Sequence, residues 1–282
     1  MKYIKKFDTL NAFNNFALDY TNTPNTSLIE ELTGSNRIIF TPFIPIPVIH
    51  DYSQDYFTFV ALESGTFTFN PNYDPESHDF GVSYSLDNGN TWTTEAATFT
   101  TPTIQAGNKV LFKSSTLKTS GYYDSSGLYI DSFISTCKFN VEGNIQSLME
   151  GDNFVNTTNN NIYYFFFSNN TNIVNAEHLI LPSNANPHMY EGMFYGCTSL
   201  VTAPELPATT LSESCYSMMF YNCSLLNSIK MLATSGLSGY NEWENPFNDW
   251  LTDTAASGTI IKDANTELPS GVVPSGWTVQ NA

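Results

Sequence analysis

Basic side chains are scarce in this chain. Lys and Arg number 10 among 282 residues against 27 Asp and Glu, a formal net charge of −17, and Arg37 is the single arginine. So acidic a chain is repelled by phosphate, and Lys2, Lys5 and Lys6 form its nearest approach to a basic cluster, so nucleic acid is excluded as a partner. Long apolar runs are missing too. The most apolar stretch, Ile38 to Ile49, falls short of the roughly 18–20 residues of a membrane span and is broken by Pro42, Pro45 and Pro47. The N-terminus MKYIKKFDTLNAFNNFALDY starts positive but lacks the apolar stretch of about 7–15 residues that comes next in a signal peptide. Sec export is therefore not expected. Cysteines are few: Cys137, Cys197, Cys215 and Cys223. They could form two disulfides, but a large core needs no staples, and buried reduced thiols are the expectation.

Catalytic signatures are equally sparse. The four histidines, His50, His78, His178 and His188, lie in separate segments with no HExxH, so no metal site is expected. His178, beside Leu179-Ile180-Leu181, reads as an exposed edge residue. No G-x-S-x-G elbow, P-loop or G-x-G-x-x-G occurs, which leaves nucleophilic catalysis and nucleotide binding without support. The sequence therefore predicts no enzyme, no catalytic residue and no cofactor. Asp74, Glu76 and Asp79 around Pro75 fit either a Ca²⁺ site or a solvated acidic turn.

What the chain has is aromatic material: 21 Phe, 16 Tyr and 4 Trp. That is enough for a sizeable core and rules out disorder along the whole length. The chain divides into three regions. Residues 1–50 read as an arm. Leu10, Phe13, Phe16, Ala17 and Tyr20 fall at helical spacing, and the FTPFIPIPV run over 40–48 is forced extended by its prolines. Such an arm either folds back on its own body or docks on a larger assembly. In the docking case Phe7, Leu10, Phe13, Phe16, Phe43, Ile44 and Ile46 are the anchoring candidates. Residues 51–142 alternate in period two over 56–60, 65–69, 81–85 and 109–113, which predicts short strands in an immunoglobulin-like β-sandwich. Within it, Tyr122 and Tyr123 are either a sugar-stacking surface or half-buried packing.

Ser85-Leu86-Asp87-Asn88-Gly89-Asn90-Thr91-Trp92 fits the Asp-box pattern S-x-D-x-G-x-T-W, in which Asp87 and Gly89 shape a hairpin turn and Trp92 packs beneath it. A sialidase would need an arginine cluster to grip a carboxylate, and one arginine cannot supply it.

Residues 143–282 contain an internal repeat. MFYGCTSL at 193–200 recurs as MFYNCSLL at 219–226, and Tyr190 and Tyr216 match at the same shift. An earlier, degenerate copy places Phe167, Asn170, Ile173, Ala176 and Leu179 ahead of Phe194, Cys197, Leu200, Ala203 and Leu206. Roughly three coils are expected to stack, each completing its neighbour's core. Phe194, Cys197, Leu200, Phe220, Cys223 and Leu226 are the expected core ladders. Beyond Tyr240 the repeat dissolves, and Trp243, Phe247, Trp250 and Leu251 with the strands around 258–262 and 276–279 read as a cap.

The segments MFYGCTSLVTAPELPATTL and MFYNCSLLNSIKMLA, with the ending PSGWTVQNA, resemble the BspA-like leucine-rich repeat family, abundant in Bacteroides-type gut bacteria and their phages, including crAss-like phages. The resemblance covers about half the chain. It implies a solenoid used for adhesion or structure, with no catalytic residues to carry over. An arm, a β domain and a repeat tip together look like phage virion proteins. The function expected from this resemblance is a head-fibre or tail-fibre subunit in the virion, anchored by its arm to other virion proteins. It is expected to be a homo-oligomer, preferably a trimer, presenting its repeat domain to a host surface glycan or protein. The alternative is a bacterial cell-surface BspA-like adhesin. The overall expectation is a mainly β protein: arm, sandwich and repeat solenoid with its cap.

Overall fold

The computed structural model describes residues 50–69, 81–95, 98–114, 133–156, 163–241 and 244–282. Residues 1–50 and 51–282 separate into two units, and every strand and helix named below belongs to the second.

The protein is mainly β. In chain order the strands are β1 (Phe57–Ala61), β2 (Phe67–Phe69), β3 (Val82–Ser85), β4 (Thr93–Glu95), β5 (Phe99–Thr100), β6 (Lys109–Ser114), β7 (Phe133–Ser135), β8 (Phe139–Asn144), β9 (Ile173–Ile180), β10 (Thr202–Leu206), β11 (Ser228–Met231), β12 (Gly258–Lys262) and β13 (Trp277–Asn281). Among the described residues the α-helical content is one four-residue helix, α1 (Ser147–Glu150). A ten-stranded mixed sheet runs in the order β13-β12-β11-β10-β9-β8-β1-β6-β3-β4, and β5-β2-β7 form a small antiparallel sheet. Strands β8 to β13 are parallel and in sequence order, one per coil, whereas β1, β6, β3 and β4 pair antiparallel. Strand β8 spans residues 142 and 143, so the sheet passes unbroken from the antiparallel region into the coils.

Alternation within the strands explains how the antiparallel region holds together. Phe57, Phe59 and Ala61 of β1, Val110 and Phe112 of β6 and Phe139 and Val141 of β8 turn to one side and are fully buried. The small sheet supplies Phe67, Phe69 and Phe133 against them. Ring centroids of Phe59 lie 5.2 Å from Phe67, 4.9 Å from Phe133 and 4.6 Å from Phe139, edge-on or tilted as the ring quadrupoles favour. The Ser147 hydroxyl ties α1 in, donating to the Phe112 carbonyl (2.8 Å) and accepting from the Phe57 amide (2.9 Å).

In the coils the backbone does something the repeat alone does not reveal. Opposite the strands, every second amide bonds three residues back within its own coil: Met189 to Asn186, Glu191 to His188, Met193 to Tyr190, Tyr195 to Gly192 and Cys197 to Phe194. The amides in between reach the next coil: His188 to Glu213, Tyr190 to Cys215, Gly192 to Ser217, Phe194 to Met219 and Gly196 to Tyr221. The preceding coil repeats the pattern, with Tyr163, Phe165, Phe167 and Asn169 donating to Met189, Glu191, Met193 and Tyr195. Chained turns thus satisfy the amides of a buried, non-helical backbone, as burial requires.

This geometry puts every fourth residue at positive φ: His188, Gly192 and Gly196 in one coil, Ser214, Met218 and Asn222 in the next. One of these columns reads Asn169, Gly196, Asn222, Asp253, all residue types that tolerate the left-handed region. The neighbouring column holds Phe165, Gly192, Met218 and Asp249. Gly192 is required there, because a Cβ would sit 2.5 Å from the Phe165 ring.

The interior is laddered. Phe167, Phe194 and Phe220 stack at 5.2 and 5.6 Å, and Tyr163, Tyr190 and Tyr216 at 6.0 and 5.9 Å. The Cys197 thiol donates to the Phe167 carbonyl (3.1 Å) and the Cys223 thiol to the Phe194 carbonyl (3.0 Å). Asn170, at the same place one coil earlier, donates its Nδ2 to the Phe133 carbonyl (2.9 Å). All four cysteines are buried and free. At the C-terminal end Trp250 and Trp277 close the stack, their indole N–H groups bonding the carbonyls of Val272 and Ala255.

The tyrosine ladder yields a test of opposite signs. The Tyr190 hydroxyl donates to the Pro182 carbonyl at 3.0 Å, whereas the buried Tyr216 hydroxyl has no partner among the described residues. Tyr190→Phe should lose about 1 kcal/mol, the net worth of such a bond, while Tyr216→Phe should be neutral or gain about as much. Urea unfolding midpoints of the two variants decide it. A loss at Tyr216 as large as at Tyr190 would refute the assignment.

Candidate functional site

Two surfaces and one turn carry the residues available for recognition. The outer face of the large sheet is built by register. Asn140 pairs with Asn175, Asn175 with Thr202, Thr202 with Ser228, Ser228 with Thr259 and Thr259 with Thr278. Six consecutive strands therefore carry an amide or a hydroxyl in one row, spaced by the roughly 4.8 Å between strands, with Asn140 Oδ1 at its start buried. The last two members bond to each other, Thr259 Oγ1 to Thr278 Oγ1, at 3.1 Å. Extra residues in β9 and β10 keep the next row in step, since 175 to 178 and 202 to 205 span three residues where the flanking strands span two. That row holds Glu142, His178, Glu205 and Lys230. Its charges are paired in place, Lys230 with Glu205 at 2.6 Å and Glu142 with Lys109 at 3.0 Å. Exposed Glu177 of β9 adds one further carboxylate beside these pairs, and the rest is a largely polar surface suited to hydrogen-bonding an uncharged polar partner.

His178 differs from expectation. It lies within β9, not at an edge, and its ring stacks on Tyr52 at 4.2 Å and 7°. Tyr52 belongs to a 3-10 turn, Tyr52–Gln54, capped by Asp51, whose side chain accepts from the Ser53 amide. Nothing in the sequence spacing links residues 52 and 178. Packing of the turn over β8 and β9 does.

The turn face carries a second row. Tyr195 stacks on Tyr221 at 5.0 Å and 4°, Phe165 tilts onto Tyr195 at 5.7 Å, and Tyr164 meets Phe165 edge-on at 4.7 Å. All four are half-buried. Tyr195 and Tyr221 cover each other's facing sides, and the tilted and edge-on contacts of Phe165 and Tyr164 tie the row together.

The Asp-box residues form a closed local network. Asp87 Oδ1 accepts from the Thr91 amide and from Ser85 Oγ (2.8 Å each), and Oδ2 accepts from Thr91 Oγ1 (2.7 Å). Bonds from the Thr91 amide and hydroxyl and from Ser85 hold the Asp87 carboxyl below its usual range. Asn88 and Gly89 take consecutive positive φ values of 58° and 86°, which a side chain tolerates at the first and glycine supplies at the second. Trp92 donates its indole N–H to the Gly89 carbonyl (3.1 Å). Its ring face is occupied by the Lys113 ammonium at 4.3 Å, itself 2.6 Å from Asp152. Tyr56 completes the cluster, edge-on to Trp92 and donating to Asp152. With its face and N–H engaged, Trp92 fixes the turn and is not arranged for ligand stacking.

Of the other residues singled out, Phe194, Cys197, Leu200, Phe220, Cys223 and Leu226 all lie at zero exposure inside the stack. The anchoring candidates Phe7, Leu10, Phe13, Phe16, Phe43, Ile44 and Ile46, the pair Tyr122 and Tyr123, and Asp74, Glu76 and Asp79 lie outside the described residues. The outer polar row was missed by sequence reasoning, although Asn175, Thr202 and Ser228 recur at the repeat's own shifts of 27 and 26, and that periodicity was the available signal. No family model, curated protein or solved structure matches the chain.

Proposed function

We propose that this chain is a structural, adhesive subunit of a phage virion, a head or tail fibre. Its first 50 residues anchor it to other virion proteins. Its immunoglobulin-like β region and its BspA-like leucine-rich repeat solenoid, ended by the tryptophan cap, present a recognition surface. The observation that carries the reading is the coil stack with its outer row from Asn140 to Thr278: polar groups held in register by a rigid sheet over an interior filled with stacked rings and thiols. Such a surface is fixed before binding and costs little to order on contact. A weak contact of this kind gains strength from several copies acting together. The ligand class is an uncharged host-surface glycan or a protein presenting polar groups.

Two experiments test it. Immuno-electron microscopy with antibody to the chain should decorate purified particles, and a signal confined to bacterial envelopes would replace the virion reading with that of a cell-surface adhesin. Residues 51–282 form a compact unit of their own. A chain lacking residues 1–50 should therefore remain folded, by circular dichroism, yet be absent from particles. Incorporation of that truncated chain at normal levels would refute the anchoring role.

A further inference from the structure

The large sheet ends on β13, and among the described residues no strand pairs with its outer edge. Ala282 N–H bonds back to the Lys262 carbonyl. By the two-residue alternation of a strand, the backbone groups of Thr278 and Gln280 therefore face β12, and those of Val279 and Asn281 face outward. Natural edge strands are blunted by lysine, proline, bulges or a covering element. The residues of β13 supply none of the first three: Trp277-Thr278-Val279-Gln280-Asn281 carries no charge and no proline, and it pairs with β12 without a register shift; the nearest charge is the Lys262 ammonium of β12, held 2.9 Å from Asn281 Oδ1. The far edge of the sheet, β4, is only three residues long and ends in Glu95. Val279, opposite the fully buried Ile260, keeps 41% of its surface exposed.

We infer that β13 is a self-association edge, and that it pairs antiparallel with β13 of a second copy of this chain about a two-fold axis at Gln280. Two observations select a second copy over a foreign strand. First, the edge complements itself. With Gln280 facing its own counterpart, Val279 of each chain faces Asn281 of the other, so the two outward-facing residues exchange their N–H and C=O groups, and the Gln280 amides meet on the outer face. Second, a chain of net charge −17 repels its own copies. The residues of β13 carry no carboxylate, and the charge nearest them is the Lys262 ammonium, so two copies approach here without opposing carboxylates. The two large sheets would then continue into one another, and each Val279 would gain a neighbour across the axis. This contact does not depend on the fibre reading. It joins chains in pairs, so a three-fold assembly would need a separate surface.

Sedimentation equilibrium of the 282-residue chain should show a reversible shift from 31.4 kDa towards twice that mass as concentration rises. Gln280→Lys and Gln280→Glu, both on an exposed side chain, should each weaken association about tenfold or more by opposing like charges at the axis. Mixing the two variants should restore it, because Lys then faces Glu. Val279→Lys should also leave a monomer with an unchanged circular dichroism spectrum. A wild-type chain that stays monomeric or forms only trimers overturns the inference. So does association that survives both Gln280 variants, or a mixture that fails to recover.

Discussion

Phe194→Ala should destabilise the protein by about 3–5 kcal/mol, the usual cost of emptying a fully buried phenylalanine site. The ring has zero exposure and stacks between Phe167 at 5.2 Å and Phe220 at 5.6 Å. The Phe194 carbonyl also receives the Cys223 thiol and the Cys197 amide, so a shift of this backbone would loosen bonds in two coils. In a stack where each coil is held mainly by its neighbours, a central defect weakens two interfaces at once. Against a typical total of about 5–15 kcal/mol, that is a large fraction. Leu225, a few residues from the same ladder but 52% exposed, serves as the control, and Leu225→Ala should stay within about 0.5 kcal/mol of the parent. Urea unfolding monitored by circular dichroism would separate the two. Equal effects at both positions would mean that the ladder does not hold the fold.

Much of this architecture is legible in the sequence, for a physical reason. When identical coils stack, like residues fall on like residues, so the demands of one interior column are written at a constant spacing. Phe194 and Phe220, or Cys197 and Cys223, recur because each must stack on, or bond to, the coil before it. Asn170 breaks the letter of the pattern and keeps its chemistry, giving an N–H where the later coils give an S–H. The positive-φ columns are half legible. Asn169, Gly196, Asn222 and Asp253 advertise the left-handed backbone, while Phe165 and Met218 adopt it against their preference because the flanking amides are bonded on both sides. The antiparallel region is harder to read. Its strands β4, β5 and β7 are two or three residues long, too short for period-two alternation to register. The stacking of Tyr52 on His178 joins residues far apart in the chain, and no local pattern encodes it. The outer polar row lies between: its central members keep to the repeat shift, but its ends depend on pairing with β8 and β13, which fall outside that period.

The buried thiols should make stability fall in mild alkali. Burial pushes the Cys215 and Cys223 thiols up to about 12 against weaker, opposing backbone hydrogen bonds, and it raises Cys197 well above its ordinary value, the nearby Cys223 adding to the effect. In the unfolded chain a thiol titrates near ~8.5. Below that pH both states are protonated and the full stability is present. Above it the unfolded chain releases protons that the folded chain keeps, so each added pH unit favours unfolding until the folded thiols themselves ionise near 12. Each such thiol contributes about 1.4 kcal/mol per pH unit. Cys215 and Cys223 alone should therefore remove about 3–4 kcal/mol between about pH 8.5 and roughly 10, a large part of the lower end of a domain's whole stability. Tyr190 and Tyr216, likewise raised by burial, steepen the loss once the unfolded tyrosines titrate near ~10. Unfolding midpoints in urea across about pH 7 to 11 should bend downward near ~8.5, and the bend should flatten in a Cys215→Ala, Cys223→Ala double variant whatever its stability at neutral pH. In the same buffers a thiol-reactive dye should label the native protein slowly and the urea-unfolded protein at all four cysteines. A stability profile flat to about pH 11 would mean that the thiols ionise as freely in the folded chain as in the unfolded one, and would refute their burial inside the coil stack.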